Sequence, residues 1–177
     1  MKGIAGLTAA ILLGGVFGLS VVAAEEKVVQ ATSPWQARGY AFPVSDDEVY
    51  LVSVFTGTMF VTNDRGALNS LSIVCPGTMN GNLKTNTKSG QGRCILSDVD
   101  GDRVYAHFTC TGDPQSCRGP FELNGGTGKF IGITGRGEMI SQMQVHQTGT
   151  VAGYETSQLL SEGVAVWPKL TYNIPAK

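Results

Sequence analysis

Apolar and polar residues alternate in short runs along most of the chain, and Gly, Asp or Pro stands at nearly every junction between runs. Alternation places successive side chains on opposite faces of a β-strand, and turn residues at the junctions join such strands into hairpins. About eight to ten short strands are predicted from Val49 onward, without a long stretch of helical period. We therefore expect an all-β fold. A two-sheet sandwich would show the same alternation, but the Gly-rich kinks favour a single antiparallel β-barrel of about eight strands.

The individual strands are assigned from the turn signals between them. Residues 50–62 are predicted to form one long strand that bends at Gly57, or two strands joined by a bulge. Residues 93–99 and 102–111 are predicted to form a hairpin around Asp100 and Gly101. Residues 88–92 are interpreted as a turn, and residues 78–86 as an edge strand or a loop. The remaining predicted strands are residues 68–74, 118–123, 130–134, 138–147, 150–160 and 163–172.

The densest run of glycines lies in residues 124–137, which read N-G-G-T-G-K-F-I-G-I-T-G-R-G. Glycine accepts a positive φ and the close approach of another backbone, so this run indicates a tight turn that feeds a strand beginning at Phe130. A phosphate-binding loop is disfavoured, because Lys129 is followed by Phe130 and β-branched residues rather than by Ser or Thr at the start of a helix.

The segment Gly-Gly-Thr-Gly-Lys-Phe at residues 125–130 resembles the corresponding segment of the allene oxide cyclase and dirigent-like barrels, including secreted bacterial members of unknown function. The resemblance covers residues 99–145. It implies an eight-stranded antiparallel barrel with a central hydrophobic cavity, in which plant members steer a reactive apolar molecule. The polar side chains that those members use have no match here, so no catalytic role is carried over to this chain.

Residues 1–24 have the features of a secretory signal peptide: Lys2, a long uncharged run, and small residues before Glu25. An uncleaved membrane anchor is the alternative, because the run is just long enough to span a bilayer. The predicted organisation is a signal peptide (1–24), an extended lead-in (25–48) anchored by Trp35, Tyr40 and Phe42, and a barrel domain (49–177). The expected location is secreted or periplasmic, with contact to a membrane only if residues 1–24 are retained.

The charge of the chain argues against nucleic acid as a partner. Thirteen basic and 14 acidic residues give a net charge of −1, and removal of residues 1–24 takes away Lys2 alone. The basic residues are spread among acidic and polar turns instead of forming the clustered face that binds phosphate backbones.

The four cysteines all lie in the exported part, at positions 75, 94, 110 and 117. An even number of cysteines in an oxidising compartment indicates two disulfides, and we favour Cys75–Cys94 and Cys110–Cys117 among three pairings. Their spacing lacks the paired C-x-x-C pattern of structural zinc sites, which disfavours zinc. Cysteines held in disulfides would not act as nucleophiles.

The run Asp98, Asp100 and Asp102 is the nearest approach to a metal motif. Three alternating carboxylates can bind Ca²⁺, but the twelfth position of a calcium-binding loop that starts at Asp98 would be Thr109 and not Glu. We interpret the run as a hairpin turn, and no metal or other cofactor is expected.

Tyr105, His107 and Glu138 are the candidate catalytic residues. Tyr105 and His107 share one face of a predicted strand, and they would form an acid–base pair only if that face pointed inward. We expect the apolar face of Val104, Ala106 and Phe108 to be inside instead. Glu138 is interpreted as the solvent-facing partner of Arg136.

The candidate cavity residues are apolar and lie on the predicted strands: Phe55, Met59, Phe108, Met139 and Met143. Since no hydrolase motif is present, the first hypothesis is a non-enzymatic exported barrel that binds a small apolar ligand or an envelope partner. A cavity-steering cyclase or isomerase is the second hypothesis. A structural subunit of a membrane-associated assembly is the third, and oligomerisation is left open.

Overall fold

The computed structural model describes residues 26–63, 66–150 and 156–176, and the side chains of residues 147 and 148 are outside the description. Eight strands and one short 3₁₀ turn make up this part of the chain. The strands are β1 (Lys27–Pro43), β2 (Glu48–Val61), β3 (Leu71–Asn82), β4 (Thr87–Ser97), β5 (Arg103–Gly112), β6 (Ser116–Gly126), β7 (Thr134–Thr150) and β8 (Ser157–Asn173), and the 3₁₀ turn spans Gly128–Phe130.

The eight strands close into one barrel in chain order, and every neighbouring pair is antiparallel. Closure is made by β1, which pairs with β2 on one side and with β8 on the other; Trp35 lies opposite both Gly57 and Gly163. A closed sheet leaves no edge strand exposed to pairing with other chains. The predicted fold class is therefore confirmed, and the two-sheet sandwich is wrong.

The predicted lead-in is wrong, because residues 27–43 form strand β1 of the barrel itself. The inward positions of β1 alternate Val29, Ala31, Ser33, Trp35 and Ala37, all of them buried. Three of these side chains are small because the interior beside the large Trp35 ring leaves little room for others. This mixture of small and polar residues conceals the period of two in the sequence.

The predicted turn at residues 88–92 is also wrong, since these residues lie inside β4 and the actual turn occupies residues 83–86. Asn86 adopts a φ of 55°, a conformation that asparagine tolerates better than most residues. Gly92 is a packing glycine: a Cβ there would lie 2.5 Å from the ring of Phe108. Its role is to leave space for that ring in the barrel interior.

Residues 78–86 were predicted as an edge strand or a loop. Residues 78–82 instead belong to β3, which runs without interruption from Leu71 to Asn82 and is paired on both sides, and the turn at residues 83–86 follows it. Pro76 fits inside it because the register between β3 and β4 passes from Val74 directly to Gly77. A proline has no N–H to donate to a ladder, so it is tolerated where the pairing is interrupted.

One end of the barrel is closed by apolar side chains from two connections. Phe130 and Ile133, between β6 and β7, and Leu68, between β2 and β3, are at most 1 % exposed. The strand predicted at residues 130–134 is accordingly wrong. The strand predicted from Leu68 begins only at Leu71, because Leu68, like Phe130, plugs the barrel end instead of extending a strand. We call this the plugged end, and the opposite end, with the connections 44–47, 83–86 and 113–115, the mouth.

Strand β8 is one continuous element where two were predicted, and it carries an irregularity near Pro168. The register against β1 shifts between Val29 and Ala31, and the register against β7 shifts between Gly137 and Ile140. Because of the extra residue, Trp167 and Leu170 both point inward, and both are buried.

Both predicted disulfides are present and join neighbouring strands. Cys75–Cys94 links β3 to β4, and Cys110–Cys117 links β5 to β6 across a short connection. Two disulfides are compatible with an oxidising compartment. The predicted signal peptide lies outside the described residues. Within the described residues, no helix is long and apolar enough to cross a membrane.

Candidate functional site

A small cavity of about 50 Å³ lies inside the barrel, between the plugged end and the mouth. Its walls are formed by inward-facing side chains from all eight strands, and nearly all of the surface they expose to it is apolar. The lining residues are Ser33, Trp35, Phe55, Thr56, Ile73, Cys75, Met79, Cys94, Phe108, Cys110, Phe121, Met139, Ser141, Met143, Ala165 and Trp167.

Three aromatic rings build one wall of the cavity in a continuous edge-to-face series. The ring of Phe55 lies 5.2 Å from that of Trp35 and 6.4 Å from that of Phe108, with interplanar angles of 75° and 86°. Edge-to-face pairs hold rings in defined relative orientations. The indole nitrogen of Trp35 also donates a buried hydrogen bond of 3.2 Å to the hydroxyl of Ser141 across the interior. This wall is therefore preorganised.

Three methionines also line the cavity, Met79, Met139 and Met143, each at most 8 % exposed. Methionine has three rotatable side-chain bonds and a polarisable sulfur, so it adapts to guests of different shape. At about 50 Å³, the cavity has room for only a few water molecules. A typical ligand site has a volume of hundreds of Å³. A guest larger than a few atoms must therefore move these methionines.

Four of the five predicted cavity residues, Phe55, Phe108, Met139 and Met143, line this space. Met59 is fully buried but lies outside the lining, opposite Leu71 in the register of β2 and β3. Sequence reasoning missed Trp35, because residues 25–48 were assigned to a lead-in. The sequence gives no clear signal here, because the inward neighbours of Trp35 on β1 are small or polar and conceal the period of two.

Tyr105 and His107 lie on the outer surface of the barrel, as expected for the polar face of β5. Their neighbours Val104, Ala106 and Phe108 are buried, whereas Tyr105 is 37 % exposed. Nε2 of His107 lies 3.2 Å from the carboxylate of Glu122, and Nδ1 contacts the side-chain amide of Asn124. These groups are separated from the cavity by the wall of the barrel.

Glu138 is likewise on the outer surface, but its partner differs from the prediction. Its carboxylate lies 3.6 Å from the guanidinium of Arg118 on the adjacent strand β6, rather than pairing with Arg136. The register pairs Arg118 with Ile140, so Glu138 is its diagonal neighbour, at a distance that long side chains can bridge.

The aspartates of the β4–β5 turn are occupied by internal contacts. The side chain of Asp98 accepts the backbone N–H groups of Asp100 and Asp102, both at 2.9 Å, and forms an ion pair with Lys129. Lys129 also contacts Asp100, and its backbone N–H donates to Asp102. The cluster joins the β4–β5 turn to the β6–β7 connection at the plugged end.

The ion pair shifts the titration of both partners in opposite directions. The hydrogen bond from Lys129 is the main cause that lowers the pKa of Asp98, with its backbone hydrogen bonds adding to the effect. The same contacts raise the pKa of Lys129. Elsewhere in the described residues, no three His, Cys, Asp or Glu side chains come together as a metal site.

Sequence reasoning also missed Lys88, which points into the barrel from β4 near the mouth. Its inward direction follows from the alternation of β4, in which Cys94 and Leu96 are buried on the same face. The ammonium of Lys88 contacts the carbonyl oxygen of Pro114 and the sulfur of Met143, both at 3.1 Å. Burial lowers its pKa to about 8, and the nearby carboxylate of Asp113 opposes that shift.

No family model matches the sequence, and no similar curated protein was found. Among solved structures, a match was found to the pterocarpan synthase dirigent protein GePTS1, with 10 % sequence identity and a TM-score of 0.43. The match covers 88 % of this chain and 90 % of that chain. At this identity no residue role is carried over. The described architecture is a closed antiparallel barrel of eight strands around a small apolar cavity, as the sequence resemblance implies.

Proposed function

We propose that this protein is an exported, non-enzymatic barrel that binds a small apolar molecule in its interior. The proposal is carried by one observation: the cavity is lined by aromatic rings, methionines and disulfide sulfurs, and among the described residues no titratable side chain borders it. Such a site gains affinity from the removal of apolar surface from water. Export is inferred from the features of residues 1–24 and is compatible with the two disulfides.

The non-enzymatic part of the proposal follows from the polar atoms in the lining. They are the hydroxyls of Ser33 and Ser141 and the indole N–H of Trp35, which is bonded to Ser141; the hydroxyl of Thr56 lies on the outer face, where it contacts the carbonyl oxygen of Gln36. General acid–base catalysis needs a group with a pKa near the working pH within hydrogen-bond reach of the substrate. The predicted catalytic candidates Tyr105, His107 and Glu138 are on the outer surface, which disfavours the cyclase or isomerase hypothesis.

Methyl NMR of the methionines tests the proposal directly. In protein labelled at the methionine methyl groups, xenon as the first probe, then benzene and hexane, should shift the signals of Met79, Met139 and Met143. Met59 is an internal reference, because it is buried but does not line the cavity. Shifts of equal size at Met59, or no shift with any probe, would show that the cavity does not bind apolar guests.

Two variants of β8 make the result specific to the cavity. Ala165→Leu adds a side chain that fills the space, and it should abolish the shifts. Val166→Leu, at the next position on the outer face of the same strand, should leave the shifts unchanged. Identical behaviour of the two variants would place the binding site elsewhere on the molecule.

A protein partner in the envelope is the second candidate, favoured by an apolar band on the outer surface. Val74, Ile95 and Tyr105 lie opposite one another on β3, β4 and β5, and each is about 40 % exposed. A contiguous exposed apolar band is typical of interaction surfaces. Photocrosslinking from position 95 in the native envelope fraction should give one discrete product. A diffuse set of products would count against this candidate.

A further inference from the structure

Lys88 lies between the solvent and the internal cavity. On one side it lies one residue inside the start of β4, next to the 83–86 connection at the mouth, where its side chain is partly exposed to solvent. On the other side its ammonium touches the sulfur of Met143, which is part of the cavity wall. A molecule entering from the mouth would therefore meet this amine before it met the apolar interior.

Within the described residues, no carboxylate is in direct contact with the amine. Its two hydrogen-bond acceptors, the Pro114 carbonyl and the Met143 thioether, are both uncharged. The nearest acid, Asp113, uses its carboxylate to hold its own turn: it accepts the backbone N–H groups of Gln115 and Ser116 and the hydroxyl of Ser116, all at 2.8 Å. An ammonium placed in this way is poorly compensated, which favours the neutral, nucleophilic form.

We propose that Lys88 is a covalent attachment site for an apolar aldehyde, holding it as an imine with its hydrocarbon chain directed past Met143 into the cavity. The inference rests on the proposed function, because it assigns the ligand class of the same cavity. It differs from that function in adding a reversible covalent bond at the mouth. An aldehyde fits both parts of the site, since its carbonyl carbon is electrophilic and its chain is apolar.

The reaction is balanced without an added oxidant or reductant. The lone pair of neutral Nζ attacks the carbonyl carbon, a C–N bond forms, and a proton moves from nitrogen to the former carbonyl oxygen. The resulting carbinolamine loses its hydroxyl group together with the second N–H proton as water, which leaves a C=N bond. Hydrolysis by the reverse path releases the aldehyde.

The protonation state of Lys88 supports this chemistry at mild pH. With a pKa of about 8, about half of the side chain is neutral at pH 8, against roughly one part in three hundred at the usual value of 10.5. Among the described residues, the charged group that acts on it is the carboxylate of Asp113 from the β5–β6 connection. Imine formation should therefore rise with pH up to about 8.

Reductive trapping tests the proposal on the mature chain. The protein is incubated with hexanal and sodium cyanoborohydride at pH 7.5, which converts an imine to a stable secondary amine, and the product is located by intact mass and peptide mapping. We expect the addition of one hexyl group, at Lys88, at least tenfold faster than at Lys84. Lys84 is the matched control, because it is an exposed lysine in the turn that precedes β4.

Two lysine variants and the methyl signal of Met143 distinguish attachment at Lys88 from non-specific labelling. Lys88→Met should lose the fast labelling, whereas Lys84→Met should retain it, and in labelled wild-type protein the methyl signal of Met143 should shift. Labelling of Lys88 no faster than that of Lys84, or a hexyl group that leaves Met143 unperturbed, would overturn the proposal. A failure of xenon, benzene and hexane to shift the cavity methyls would instead overturn the proposed function, irrespective of where hexanal reacts.

Discussion

The indole N–H of Trp35 on β1 donates a buried hydrogen bond to the hydroxyl of Ser141 on β7, and these two residues are 106 positions apart in the chain. The bond crosses the interior of the barrel and orients the ring that begins the aromatic wall. A buried N–H without an acceptor costs more than the bond itself contributes, because the group has lost its contact with water.

Ser141→Ala should therefore lower the free energy of unfolding by about 1–3 kcal/mol. Ser33→Ala is the matched control: Ser33 is also buried and lines the cavity, but its hydroxyl makes only a 3.4 Å contact with the neighbouring Pro34 carbonyl. Its replacement leaves no donor unpaired. Urea unfolding followed by tryptophan fluorescence measures both variants, and equal losses would contradict the assigned role of the hydrogen bond.

Acid should weaken the fold through Asp98. Its pKa is lowered from the usual 3.8 in the folded state, so its contribution is fully present above pH 3.8 and is lost as the pH falls through the folded-state pKa. The stability of the wild type should decline below about pH 4 more steeply than that of Asp98→Asn. Unfolding curves between pH 2 and 6 test this.

Unfolding curves over the same pH range can also test whether Lys129 is the ionic partner of the Asp98 carboxylate. In a double-mutant cycle with Lys129→Gln, the coupling between the two positions should be favourable at pH 6 and should vanish at the acid end of the range. Coupling that does not depend on pH would mean that the contact between these side chains is not ionic in origin.

Gly128→Ala should destabilise the protein more than Gly101→Ala. Both glycines adopt a positive φ, of 52° and 87° respectively, so both variants incur backbone strain of about 1–2 kcal/mol. A Cβ at Gly128 would in addition lie 1.7 Å from a carboxylate oxygen of Asp102, whereas a Cβ at Gly101 meets nothing within 4 Å. Thermal unfolding of the two variants should separate them, and equal melting temperatures would contradict the steric argument.

The two disulfides should differ in their contribution to stability. Loop-closure entropy predicts about 3 kcal/mol for Cys75–Cys94 and about 2 kcal/mol for Cys110–Cys117, since their sequence separations are 19 and 7. Paired Cys→Ser variants measured by chemical denaturation give the order. A larger loss for the shorter loop would show that a factor other than chain entropy dominates.

Alkaline pH should stabilise the fold through Lys88. Between about pH 8 and 10.5 the unfolded chain binds a proton at this side chain that the folded barrel has lost, so the free energy of unfolding rises with pH over that window. The contribution is absent in Lys88→Met, and the difference between the two proteins should therefore change with pH only in this range. A constant difference from pH 7 to 10.5 would show that the pKa of Lys88 is not depressed.

The barrel and its disulfides were predictable from sequence because both depend on local signals. Alternation in residues 103–109 is strong, since Val104, Ala106 and Phe108 are all apolar and face the core. Cys110 and Cys117 are separated by a short turn-forming segment that permits their pairing. These features require no knowledge of how distant strands are aligned.

The cavity residues were less predictable, because they depend on the strand register, that is, on which residues of neighbouring strands lie opposite one another. Gly90 and Gly92 read as turn residues, but they lie opposite Met79 and Phe108 and make room for those side chains inside the barrel. Lys88 was not recognised for the same reason, since its inward direction follows only once residues 87–97 are known to be a strand. A lysine in a supposed turn is expected to be solvated.

The pairing of Lys27 with Tyr172 places the start of β1 beside the end of β8, at the plugged end of the barrel. Anything joined to the chain ahead of β1 or after β8 therefore holds the molecule by that end. The face that carries Lys88 is directed away from the point of attachment. A protein immobilised on a surface through a segment joined to the start of β1 or to the end of β8 would keep the mouth of its barrel exposed to the surrounding medium.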